Sequence, residues 1–149
     1  MPTQPMLEEP SVIAIKEVWI NRLDELIQTV KNWATDIGWS ARRIEKSMND
    51  SLVGRYVAPA LILQEETTRI LLEPIARSAP GAEGVVDLYL MPAYDDIASL
   101  YFSNGEWQLH YMWPGTPNVN TMRDAEPKPF SMEVFQEVLQ EMKKNATND

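Results

Sequence analysis

A chain of 149 residues with an apolar share of 44% is long enough for one domain with a core of its own, hiding about 68–70% of the unfolded surface. With no cysteine, disulfides, thiolate zinc sites and cysteine nucleophiles are all excluded. Twenty-two acidic residues against thirteen basic ones give a net charge of -9, which repels phosphate backbones and anionic lipid and so argues against nucleic acid and membrane as partners.

Residues 1–10 (MPTQPMLEEP) carry prolines and acids but no basic residue, and read as a flexible arm leading into a single domain over 11–149. They lack the positive start and apolar centre of a secretion leader, and no run approaches the ~18 apolar residues of a membrane span. A cytoplasmic location is the expectation. A long helix is predicted from Ser11 to Ile37. Its stripe of Val12, Ile15, Trp19, Leu23, Leu26, Val30, Trp33 and Ile37 steps by three and four. Ser11 would cap it and Gly38 would close it in the left-handed conformation. Ile13, Ile20 and Ile27 fall beside the stripe and widen it, so the helix should meet several neighbours or a second copy of itself.

A short second helix is predicted over Ser40–Asn49, with Ile44 and Met48 on one side and Arg42-Arg43 on a solvated one. Two strands follow, Tyr56–Gln64 and Thr67–Ile75, joined by a tight turn at Glu65-Glu66. Pro59 removes a ladder donor and marks the first as an edge or bulged strand; Pro74 ends the second or frees its edge.

The segment Gly84–Pro114 reads as three antiparallel strands. Asn104-Gly105 between two β-rich runs is a strong hairpin signal. A two-residue turn there pairs Ser103 with Glu106, Phe102 with Trp107, Tyr101 with Gln108, Leu100 with Leu109 and Ser99 with His110. Paired residues share a face. One face then carries Leu100, Phe102, Trp107 and Leu109, joined by Val86, Leu88 and Leu90. The other gathers Asp87, Tyr89, Ser99, Tyr101, Gln108 and His110, the only histidine. A long loop over 114–130 leads to a final helix from Ser131, with Phe130 and Phe135 as a hydrophobic staple. The predicted fold is α+β: a long N-terminal helix, a short second helix, a five-stranded, mainly antiparallel meander sheet and a C-terminal helix on its apolar face.

The candidate binding face is Asp87, Tyr89, Ser99, Tyr101, Gln108 and His110, with Trp113 as an aromatic anchor at a strand end. Soft aromatic and polar groups of this kind suit docking surfaces. Ser99, His110 and Asp87 also spell a nucleophile, base and orienter, but a mid-strand serine lacks the nucleophile elbow. No phosphate-binding glycine loop, paired-histidine motif or calcium loop occurs, so no catalytic residue, metal or cofactor is assigned. The sequence therefore predicts a non-enzymatic protein-binding module of adaptor, chaperone-like or immunity type, docking a partner or pairing with itself. The alternative is a small enzyme or small-molecule-binding domain using the Asp87/His110 face.

Overall fold

The computed structural model describes residues 4–114 and 126–147. A helix, α1 (Gln4–Asp36), is followed by strands β1 (Ser40–Asp50), β2 (Gly54–Glu65), β3 (Thr68–Ala76), β4 (Val85–Leu90), β5 (Ile97–Ser103), β6 (Glu106–Tyr111) and β7 (Lys128–Pro129), and then by helix α2 (Met132–Thr147). The strands form one antiparallel sheet in chain order, so the α+β class and the meander hold, but with seven strands in place of five. Of the loop expected over 114–130, residues 115–125 lie outside the described residues, and Lys128–Pro129 pair with β6.

α1 begins at Gln4, so Ser11 lies within it and does not cap it, and helix runs back into the stretch read as an arm. Pro5 falls in the first turn, where a missing N–H costs no helical bond. At the other end the prediction holds. Gly38 takes φ +91°, the Trp39 N–H reaches the Ala34 carbonyl at 2.9 Å, and the Gly38 N–H reaches that of Thr35 at 3.2 Å. This is the double-bonded Schellman closure.

The short second helix is overturned. Ser40–Asn49 belongs to the edge strand β1, paired with β2 from Ser40↔Gln64 to Asp50↔Gly54. The spacing of four between Ile44 and Met48 suits a helix, but an even spacing also keeps two residues on one face of a strand. Local preference did not decide; the long apolar β2 needed a partner on its outer side. β2 is thus internal, and the β2–β3 turn is Glu66-Thr67, one residue later than expected, with Glu66 at φ +55°.

Pro59 and Pro74 shape the sheet together. The β2–β3 ladder stops at Leu61↔Leu72, and continuing its register would set Pro59 opposite Pro74. Neither has an N–H to give, so the ladder cannot continue there. β3 goes on with β4, shifting register between Pro74 and Ala76. The distal halves of β1 and β2 separate from β3 as a two-stranded arm that reaches α1. The arm tip is held by Asp50, which accepts the N–H groups of Leu52 and Val53 and forms an ion pair with Arg77 at 3.0 Å. Burial pushes the Asp50 carboxyl up, but the Val53, Arg77 and Leu52 donors overcome this and hold it below the usual range.

Both helices cover one sheet face. Trp19, Leu23, Leu26, Ile27, Val30 and Ala34 of α1 and Phe135, Val138, Leu139 and Met142 of α2 bury against Leu61, Leu63, Ile70, Leu72, Val86, Leu88, Leu100 and Leu109. α2 starts as predicted. Ser131 Oγ accepts the Val134 N–H, and the Phe130 and Phe135 rings meet at 6.1 Å. Trp33 joins the helices, its ring 5.3 Å from Phe130 and 5.8 Å from Phe135. At the far end of α2, Lys143 pairs with Glu65 and Glu66, whose carboxylates raise its pKa. Gly84 is needed where β4 enters: a Cβ there would lie 2.5 Å from the Trp19 ring.

Candidate functional site

The β5–β6 register matches the sequence reading at every named pair, from Ser103↔Glu106 to Ser99↔His110. With Glu73↔Asp87 and Asp87↔Ser99, one row crosses the sheet as Glu73, Asp87, Ser99 and His110. Tyr89 lies in the next row on one side, and Tyr101 and Gln108 in the row on the other. The structure therefore brings six of the predicted residues onto the face opposite the helices. Trp113 is not among them: it is half-buried, packs on the core, and sets its ring edge-on to Tyr111 at 4.9 Å with Lys128 over it at 4.2 Å.

This polar face is knitted together. Asp87 is 7% exposed and accepts hydrogen bonds from Ser99 Oγ at 2.9 Å and from the Tyr94 hydroxyl. Tyr94 comes from the β4–β5 connection, which folds back so that its ring meets Tyr89 at 4.4 Å. Burial, then the Asp87 carboxylate, pushes the Tyr94 hydroxyl far above its ordinary pKa. Burial, then Glu73, raises Tyr89. Lys46 on the arm lies 3.4 Å from Glu73 and donates to the Pro74 carbonyl at 2.8 Å. His110 packs edge-on against Tyr101 at 4.8 Å. Ser99 gives its hydroxyl hydrogen to Asp87, so the carboxylate orients the serine directly. In the Ser99, His110, Asp87 reading that hydrogen goes to the imidazole as base, with the carboxylate behind it. Among the described residues no group of three or more His, Asp or Glu side chains is placed to hold a metal ion.

A second surface lies on the helix side. A groove runs along α1 and falls into two clefts, of about 440 Å³ and about 650 Å³. Val18 and Arg22 line both. Arg22 forms the partition, donating to the Glu83 carbonyl at 2.8 Å and standing 3.9 Å over the Phe102 ring. The larger cleft is walled by two aromatic pairs: Trp33 with Phe130, and Phe102 with Trp107, the latter 5.1 Å apart. All four rings are half-buried. Glu25 and Glu106 are exposed in its lining. None of the lining residues of these two clefts belongs to the polar face.

The sequence reading missed this groove because Phe102 and Trp107 alternate correctly with Leu100 and Leu109 and pass for core. Their position beside the Asn104-Gly105 turn was the available signal. The tip of a hairpin projects past the elements that cover its base, so large rings there end half-exposed. Neither a family model, nor a curated protein, nor a solved structure matches the chain.

Proposed function

We propose that this chain is a non-enzymatic, acidic protein-binding module of adaptor, chaperone-like or immunity type, and that its groove along α1 seats a partner segment with aliphatic or aromatic anchors flanked by basic residues. The observation that carries this reading is the pair of aromatic couples, Trp33/Phe130 and Phe102/Trp107, standing half-open in a cleft of about 650 Å³. Rigid aromatic walls supply contact area at little entropic cost, and central aromatic anchors dominate interface energies. Glu25 and Glu106 outnumber Arg22 in the lining of that cleft and, with a net charge of -9, favour a cationic flank. A second copy of the chain is the other candidate partner.

The alternative, a small enzyme or ligand-binding domain using the Asp87/His110 face, draws on the burial of the Asp87 carboxylate. The two readings separate in one titration. A synthetic peptide with leucine anchors and lysine flanks is followed by tryptophan fluorescence, since Trp33 and Trp107 line the groove. The module reading expects saturable binding, weakened about tenfold or more by Phe102→Ala or Trp107→Ala and unchanged by His110→Ala. No binding of that peptide, or binding lost through His110→Ala alone, would overturn it.

A further inference from the structure

We infer that the segment bound in the groove carries an acidic side chain, Asp or Glu, that meets Arg22 where it divides the two clefts. This rests on the reading of the groove as a peptide seat and names the residue type that the middle of such a segment requires. Arg22 is a half-buried cation with neutral neighbours. Its guanidinium donates to the Glu83 carbonyl at 2.8 Å and stands 3.9 Å over the Phe102 ring. These contacts fix its position, but neither a carbonyl nor a ring cancels a full charge. Among the described residues Arg22 enters no ion pair, in a chain with twenty-two acids against thirteen bases. The carboxylates that share its clefts, Glu25, Glu83 and Glu106, all belong to exposed residues. Arg77, the other guanidinium of the smaller cleft, differs: Asp50 answers its charge at 3.0 Å.

A segment that fills both clefts must pass over Arg22, because Arg22 lines each of them. Covering it takes a guanidinium out of water, which is strongly unfavourable unless the charge is answered. An apolar or cationic residue at that point leaves the cost standing. A carboxylate removes it, and the planar fork of a guanidinium matches a carboxylate with paired N–H bonds. The donors are present, since a guanidinium has more N–H groups than the one bond to Glu83 uses. The partition lies between the clefts, so the group that meets it comes from the interior of the segment. It is therefore a side chain and not a terminal carboxylate. The segment takes the order apolar anchor, acid, apolar anchor, with its basic flank toward Glu25 and Glu106 of the larger cleft.

Synthetic peptides with leucine anchors and lysine flanks, titrated into the full chain by tryptophan fluorescence, test this. Glutamate is placed at each position between the anchors in turn, and each peptide is compared with its glutamine counterpart. At one position glutamate should bind about tenfold tighter or more than glutamine. That preference should vanish in Arg22→Gln and shrink in Arg22→Lys, which keeps the charge but loses the fork. The comparison of the two peptides on the parent chain does not depend on either variant folding. Glutamate and glutamine peptides that bind alike at every position would overturn the inference and leave the module reading standing. A glutamate preference undiminished in Arg22→Gln would overturn it as well. If no peptide of the series binds, the module reading fails and the inference with it.

Discussion

The indole of Trp19 donates its Nε1–H to the Tyr56 hydroxyl at 2.9 Å, within the core. This bond joins the first buried turn of α1 to the arm of β1 and β2 that separates from the sheet at Pro59 and Pro74. Burial, opposed by the Trp19 bond, raises the Tyr56 pKa. Removing the hydroxyl leaves the indole N–H buried without its partner. Tyr56→Phe should therefore lower stability by about 1–2 kcal/mol, read as a shift in the urea midpoint at unchanged slope. A variant as stable as the parent would show that the arm is held by apolar packing alone.

Trp19 also explains why residue 84 is glycine. A Cβ at that position would come within 2.5 Å of the indole ring, and the ring is fixed on its other side by Tyr56. Gly84→Ala should cost about 1–3 kcal/mol through overpacking. Gly105, with nothing within 4 Å of an added Cβ, provides a contrast: its cost comes only from φ +82°. Comparing thermal midpoints of the two variants, with the Trp19 near-UV signal altered in the first alone, checks the assignment.

Acid and alkali should act at different places. Asp50 is held below its usual pKa in the folded chain, so its stabilisation is present above the unfolded value of about 3.9 and is lost as pH falls through the lower folded value. Asp50→Ala frees the Leu52 and Val53 N–H groups and the Arg77 guanidinium, for about 2 kcal/mol at neutral pH. The variant should lose part of the acid sensitivity as well, measured as the difference in midpoint between pH 7 and pH 3.

Tyr56, Tyr89, Tyr94 and Tyr111 all have raised pKa values. Burial leads in each case; for Tyr111 the next cause is Asp96, which accepts its hydroxyl at 2.8 Å. A raised folded pKa means stability that is complete below the ordinary tyrosine value of about 10 and lost as pH rises above it. The fold should open cooperatively in alkali, and the tyrosinate signal of these four residues should appear together with loss of ellipticity. Titration of Tyr56, Tyr89, Tyr94 or Tyr111 near pH 10 in a folded chain would contradict this.

On the polar face, Asp87→Ala should destabilise by about 2 kcal/mol, since it strips the acceptor from Ser99 and Tyr94 at once. Asp87→Asn retains an acceptor and should cost less. If both variants unfold at the parent's denaturant midpoint, the buried network contributes nothing to the fold, and its arrangement calls for the ligand-binding explanation.

Much of this architecture is legible along the chain wherever a few adjacent residues settle the geometry. Asn104-Gly105 sets the β5–β6 register and sorts Leu100 and Leu109 from Ser99 and His110. Gly38 closes α1, and Ser131 with the Phe130/Phe135 staple opens α2. Each rests on local turn or capping chemistry that needs no distant partner. Ser40–Asp50 is different. Its spacing fits helix and strand alike, and the apolar edge of β2 resolves the ambiguity through pairing. The division of the sheet required Pro59 and Pro74 to come level with each other, which neither proline reveals alone. The groove required Trp33, Phe102, Trp107 and Phe130 to converge from three separate stretches of chain. Faces and turns follow from short-range backbone chemistry; which faces stay uncovered depends on where α1 and α2 come to rest, and that only tertiary packing decides.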